Sequence, residues 1–149
     1  MRLKKSILAT SLLLVMTAVP AKAIEIGVPF FLSDGLNVGA RLHFGDFYAL
    51  QPSVGVMWES NFSSVGFDIR NLFYLSRQEP LSQYLGANVY YVIESDIDNT
   101  LGIGAFYGLQ HQLTEVLDIY GELGGVFNLE PSTFFTTLRT AAGLIFYFR

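Results

Sequence analysis

The side chains able to do chemistry in this sequence are few and unevenly placed. There is no cysteine, so disulfides, thiolate metal sites and cysteine nucleophiles are all excluded. His43 and His111 are the only histidines. Most of the remaining reactive groups are charges set among alternating residues: Glu25, Arg41, Asp68, Arg70, Asp118, Glu122 and Arg139. Opposite charges sharing an enclosed space must pair, because an unpaired buried ion costs several kcal/mol. Such a set is either a structural plug of ion pairs or a gated ion path. A second group, Glu94, Asp96 and Asp98, puts three carboxylates at alternate positions. Oxygen ligands at that spacing suit Ca²⁺ or Mg²⁺. The glycine and final glutamate of a calcium loop are missing, so solvated loop acids are the simpler reading.

These residues have to be positioned by strands. From Ile24 onward apolar residues recur at every second position, the period of a strand, and no helical stripe is present. Turn-forming clusters divide the chain into eight runs, at 24–32, 36–45, 47–59, 62–75, 83–94, 100–113, 116–128 and 133–148. In the third, Leu50, Pro52, Val54, Val56 and Trp58 alternate with Gln51, Ser53, Gly55, Met57 and Glu59. In the fourth, Val65, Phe67, Ile69, Phe73 and Leu75 oppose Gly66, Asp68, Arg70 and Tyr74. The fifth sets Leu85, Ala87, Val89, Tyr91 and Ile93 against Gly86, Asn88 and Tyr90. Pro29 and Pro52 each remove a ladder hydrogen bond and predict bulges or positions near a strand end.

The content of the two faces decides between a soluble carrier barrel and a membrane one. A sheet surface facing water carries lysine and glutamate and avoids rows of glycine. Here the polar face is Gly, Tyr, Ser, Asn and Gln with an occasional charge, and the apolar face holds no charge in any run. An uncharged outer face is what lipid demands, since a midplane Arg or Lys there costs about 2–4 kcal/mol. Lipid also has no partner for an unpaired backbone group, so the sheet must close on itself. The fold class expected is all-β, a closed antiparallel up-and-down transmembrane β-barrel of about eight strands over residues 24–149. Small inward side chains are expected in its cramped interior. Tyr48, Trp58, Tyr84, Tyr91, Tyr107, Phe146 and Phe148 are expected in an interfacial girdle.

Residues 1–23 read as a cleaved secretory signal peptide. Arg2, Lys4 and Lys5 form a positive start, Ile7 to Val19 an apolar core, and Ala21-Lys22-Ala23 a cleavage site. Removing it leaves five arginines, no lysine and thirteen acids, a net charge of −8. Nucleic acid is thereby excluded as a partner.

The chain ends Ala141-Ala142-Gly143-Leu144-Ile145-Phe146-Tyr147-Phe148-Arg149. Gly143, Phe146 and Phe148 resemble the terminal assembly signal of bacterial outer-membrane barrels, although Ala141 replaces the usual polar residue and Arg149 follows the usual aromatic end. Leu101–Ala105 and Gln112–Glu122 are similar to the penultimate hairpin of the OmpA/OmpX-type and opacity-type barrels. The resemblance implies a monomer in the outer membrane, with both termini in the periplasm and barrel-assembly machinery, lipid and lipopolysaccharide as partners. It places the connections near Asp34, Asn61, Asp96 and Glu130 outside. These are short, which speaks against a long-loop adhesin. It also places His43 and His111 at the periplasmic side, away from where a lipid A hydrolase would work. No cofactor is expected. The function expected is a non-enzymatic outer-membrane barrel that contributes to envelope integrity or surface interaction, with a lumen plugged by side chains, the alternatives being a narrow small-solute channel or a lipid-modifying enzyme. Registering the last hairpin about Glu130 places Glu122 opposite Arg139.

Overall fold

The structure, a computed structural model, describes residues 24–33, 35–59, 62–95 and 98–148. The signal-peptide reading and Arg149 fall outside them, as do Asp34 and Asp96. Nine strand segments form the sheet: β1 (Ile24–Leu32), β2 (Leu36–Gly39), β3 (Arg41–Phe44), β4 (Tyr48–Glu59), β5 (Phe62–Gln78), β6 (Leu81–Glu94), β7 (Thr100–Gln112), β8 (Leu117–Glu130) and β9 (Phe134–Phe148). β2 and β3 are two halves of one stave, both pairing with β1 on one side and β4 on the other. β1 pairs with β9 and closes the sheet. All pairings are antiparallel, giving a closed eight-stave, up-and-down barrel.

Pro52 of β4 explains why the second stave is split: it lies opposite Ala40, the residue between β2 and β3, whereas Pro29 of β1 falls opposite Gly39. Ala40 N donates to Pro52 O at 3.0 Å. A regular pair would return a second bond, but Pro52 has no N–H to give. The register continues unchanged on both sides of Ala40. The expected bulges are therefore absent here, and the ladder is interrupted instead. Bulges occur at Tyr74/Ser76 in β5 and where Gly124 and Val126 of β8 face Arg139 and Thr136 of β9.

Alternation sorts the side chains as the sequence indicates. Val54, Phe67, Ile69, Phe73, Leu85, Val89, Ile103, Leu109, Leu123 and Phe146 face outward and are exposed. All four cationic side chains among the described residues, Arg41, Arg70, Arg77 and Arg139, turn inward. Polar side chains near the ends of the outer face meet aromatic partners there. Tyr48 Oη donates to Asn71 Oδ1 and Tyr107 Oη to Gln83 Oε1, both at 2.8 Å. Nearer the opposite end, Asn99 Nδ2 donates to Tyr91 Oη at 2.8 Å. Aromatic rings with a polar tip belong at a membrane interface, so these contacts bracket an apolar belt. Tyr84 does not join the girdle: it is fully buried in the lumen. Connections are short throughout, from two residues at 79–80 to five at 95–99. Below, the end carrying Ile24 and Phe148 is the terminal end and the opposite one the far end.

Candidate functional site: the lumen

Glycine governs how the lumen is filled. Tyr84 of β6 pairs with Gly108 of β7, which pairs with Glu122 of β8. A Cβ on Gly108 would occupy the space of the Tyr84 ring. The bare glycine lets the ring cross a whole strand, and its Oη donates to Glu122 Oε1 at 2.8 Å. The device recurs: Tyr90 crosses Gly102 to donate to Asn128, and Tyr147 crosses Gly27 to hydrogen-bond His43 Nε2 at 3.0 Å. Phe106 lies across Gly86 in the same way. The small residues expected to suit a cramped interior are thus seats for large aromatic rings.

Two polar networks lie between the ends, the first hydrogen-bonded and the second held by ion pairs. The one nearer the terminal end is built on Arg41, whose Nε donates to Gln51 Oε1 at 2.6 Å and whose Nη1 donates to Gln110 Oε1 at 2.8 Å. Tyr74 Oη donates to the same Gln110 oxygen at 3.0 Å. Gln110 Nε2 then donates to Asp118 Oδ2 at 2.5 Å and to Tyr147 Oη at 2.9 Å. The second network is built on Arg70, whose Nη2 lies 2.8 Å from Glu122 Oε2 and whose Nε lies 3.1 Å from Asp68 Oδ2. Asn88 Nδ2 donates to Asp68 Oδ1 at 2.8 Å. Both arginines are flanked by rings: Arg41 by Tyr84 and Tyr120, Arg70 by Phe31 and Phe106, the last at 4.5 Å. Cation–π contact of this kind strengthens where water is excluded.

Arg77 pairs with Glu25 at the terminal mouth and also reaches Gly45 O at 3.3 Å. Arg139 sits toward the far mouth, its Nε donating to Ser33 Oγ at 3.2 Å and its guanidinium 5.2 Å from the Tyr90 ring. Open vestibules lie at both ends. The terminal one, about 880 Å³, has Glu25, Arg77, Gln110 and Asp118 among its lining. The far one, about 590 Å³, reaches Tyr90, Asn128 and Arg139.

Every residue of the expected charge set faces the lumen, in four separate groups rather than one. The expected Glu122–Arg139 opposition is corrected. Glu122 faces Ala141, and Arg139 faces Gly124. The hairpin is shifted by one position, with Asn128 facing Phe134, and the extra β9 residue adds a second. One step alone would have turned Arg139 outward; two keep it inside. Arg77 escapes the sequence reading because the fourth run there ends at Leu75, two residues short, and the bulge at Tyr74/Ser76 carries the side chain inward. The inward glutamines and tyrosines give little signal in sequence, since nothing there links Gln110 to Arg41.

Of the three candidate metal-binding carboxylates, Glu94 and Asp98 line the far vestibule and Asp96 is not among the described residues. Among the described residues no three His, Cys, Asp or Glu side chains are grouped to hold a metal. His43 is buried beside Tyr74 and Tyr147, whereas His111 faces outward near the terminal end. Gly143 lies against Phe31 of β1, and Phe146 and Phe148 are exposed on the outer face at the terminal end.

No family model matches the sequence. No curated protein matches it either. Solved structures do. The chain is similar to the N-terminal β-barrel domain of Pseudomonas aeruginosa OprF, with 20% identity, 84% of this chain and 96% of that one covered, and a TM-score of 0.58. It is similar to a major outer membrane protein from Thermus thermophilus, with 13% identity, 85% and 100% covered, and a TM-score of 0.63. A de novo designed transmembrane β-barrel matches at 16% identity, with 85% and 98% covered and a TM-score of 0.59. The closed sheet, the apolar outer belt and these likenesses agree: the chain has the fold of the small eight-stranded outer-membrane β-barrels.

Proposed function

We propose that this protein resides in a bacterial outer membrane as a non-enzymatic barrel that contributes to envelope integrity, with a lumen closed by its own side chains. The observation that carries this reading is the layer formed by Arg41, Gln51, Leu72 and Tyr84, all fully buried between the two vestibules and nearer the terminal one. Its groups are held by charge-assisted hydrogen bonds and by rings seated on glycine, so no single rotamer change clears a path. Such a lumen suits a wall element rather than a diffusion pore. Lipid and lipopolysaccharide surround the apolar belt, and the barrel works as a monomer. Planar-bilayer recording on refolded protein tests closure: no resolved conductance steps are expected, and steady single-channel openings would overturn it.

One observation favours a second reading, a gated ion path. Arg70 has two carboxylate partners, Asp68 and Glu122, on different strands, and exchange between partners is how a gate would work. On that reading Arg70→Met raises open probability. The relevant residue is Arg70, since Arg139 does not face Glu122.

A further inference from the structure

The far vestibule has the size of a ligand site, about 590 Å³, within the range of small-molecule pockets. Its charges are separated by height. Arg139 lies low in it, held by the Ser33 hydroxyl and stacked on Tyr90. Glu94 and Asp98 line it nearer the mouth. Glu94 is four residues beyond Tyr90 on β6, which in a tilted strand is roughly 10 Å of height. Tyr90 at the lower level and Phe134 contribute aromatic wall.

A chamber of about 20 Å³ continues downward from this vestibule, with Ser33, Val126, Arg139 and Thr140 lining both. Arg70 and Glu122 both line the chamber, and the Arg70 guanidinium is already met there by Asp68 and Glu122, so the cation that the foot of the vestibule offers an entering ligand is Arg139.

The geometry points to a binding site for a small zwitterion, entering carboxylate first and leaving its ammonium group level with Glu94 and Asp98. A simple anion of that length would be repelled at the acidic mouth, and a simple cation by Arg139. A molecule carrying both charges in the right order satisfies both ends. Because the buried layer closes the lumen below the vestibule, the site retains its ligand instead of passing it on.

Three probes of equal backbone length separate this from non-specific uptake: 6-aminohexanoate, its N-acetyl derivative, which lacks the cation, and 6-aminohexanamide, which lacks the anion. Titrated into refolded barrel and followed by amide chemical shifts, 6-aminohexanoate should give saturable shifts at far-vestibule residues. Each blocked probe should bind at least about tenfold more weakly, the loss of one charged hydrogen-bonding end. Arg139→Gln should erase the preference for the free carboxylate while keeping that for the free amine. The double variant Glu94→Gln, Asp98→Asn should do the reverse. Equal binding of the three probes, no saturable shift with 6-aminohexanoate, or an unchanged ranking in well-folded Arg139→Gln would overturn the assignment.

Discussion

Replacing Gly108 and Gly121 by alanine applies one chemical change to two strand glycines with opposite surroundings. Gly108 faces the lumen beneath the Tyr84 ring, and a Cβ there would overlap ring atoms and the hydroxyl. Tyr84 has nowhere to go, because it is fully buried against Tyr74, 5.3 Å between ring centroids, and beside Arg41. Forcing a methyl into such packing costs about 1–3 kcal/mol. If the ring moves, its hydrogen bond to the Glu122 carboxylate is lost as well, worth about 1.5–3 kcal/mol. The two costs overlap, so Gly108→Ala should destabilise the barrel by roughly 3 kcal/mol. Gly121 has nothing within 4 Å of an added Cβ. There alanine only narrows the unfolded ensemble and should stabilise by about 0.4–1 kcal/mol. Reversible urea unfolding in detergent or short-chain lipid, followed by the fluorescence of the single tryptophan, measures both. Equal midpoints for the two variants, or a stable Gly108→Ala, would refute the claim that glycines here serve as seats for rings.

Three further outcomes follow from the same contacts. Arg70→Met leaves Asp68 and Glu122 buried without their cation and should cost about 3–5 kcal/mol; adding Glu122→Leu should recover much of that in the same unfolding assay. Ile103→Arg puts a charge on the outer face, where the native side chain is exposed, and should cost about 2–4 kcal/mol in lipid, read from the folded fraction on an unheated gel. Arg77→Gln cuts the ties to Glu25 and Gly45 at a partly open mouth, so its stability cost should stay below about 1 kcal/mol, while amide exchange at residues 45–47 quickens.

The barrel was legible because lipid and close packing impose opposite demands on alternate residues. Val65, Phe67 and Ile69 cannot share a face with Asp68 and Arg70, and the structure separates them as the alternation requires. The lumen was legible only in its charges. Arg41 and Arg70 announce themselves as buried ions, but Gln51, Gln110 and Tyr84, which contact Arg41, come from staves whose register depends on turns and bulges. Tyr84 reads as a girdle residue because a tyrosine near a strand end fits lipid headgroups and a lumen equally well by composition. Its parity with Gly86, Asn88 and Tyr90, and Gly108 on the neighbouring strand, tell the two apart. Arg139 shows the same limit: one shifted turn and one bulge decide what it faces.

The central claim, a barrel embedded in lipid with a closed middle, can be measured on single-cysteine variants, which the cysteine-free sequence permits without background. Spin labels at Leu85 and Val89 on the outer face, Ser82 in the terminal vestibule and Ser64 in the far one are then challenged with dissolved oxygen and with a water-soluble nickel complex in proteoliposomes. The account predicts oxygen relaxation alone at Leu85 and Val89, nickel relaxation at Ser82 and Ser64, and no passage of the nickel complex into the vesicle. Nickel access to Leu85 and Val89, or entry of the complex through the barrel, would contradict it.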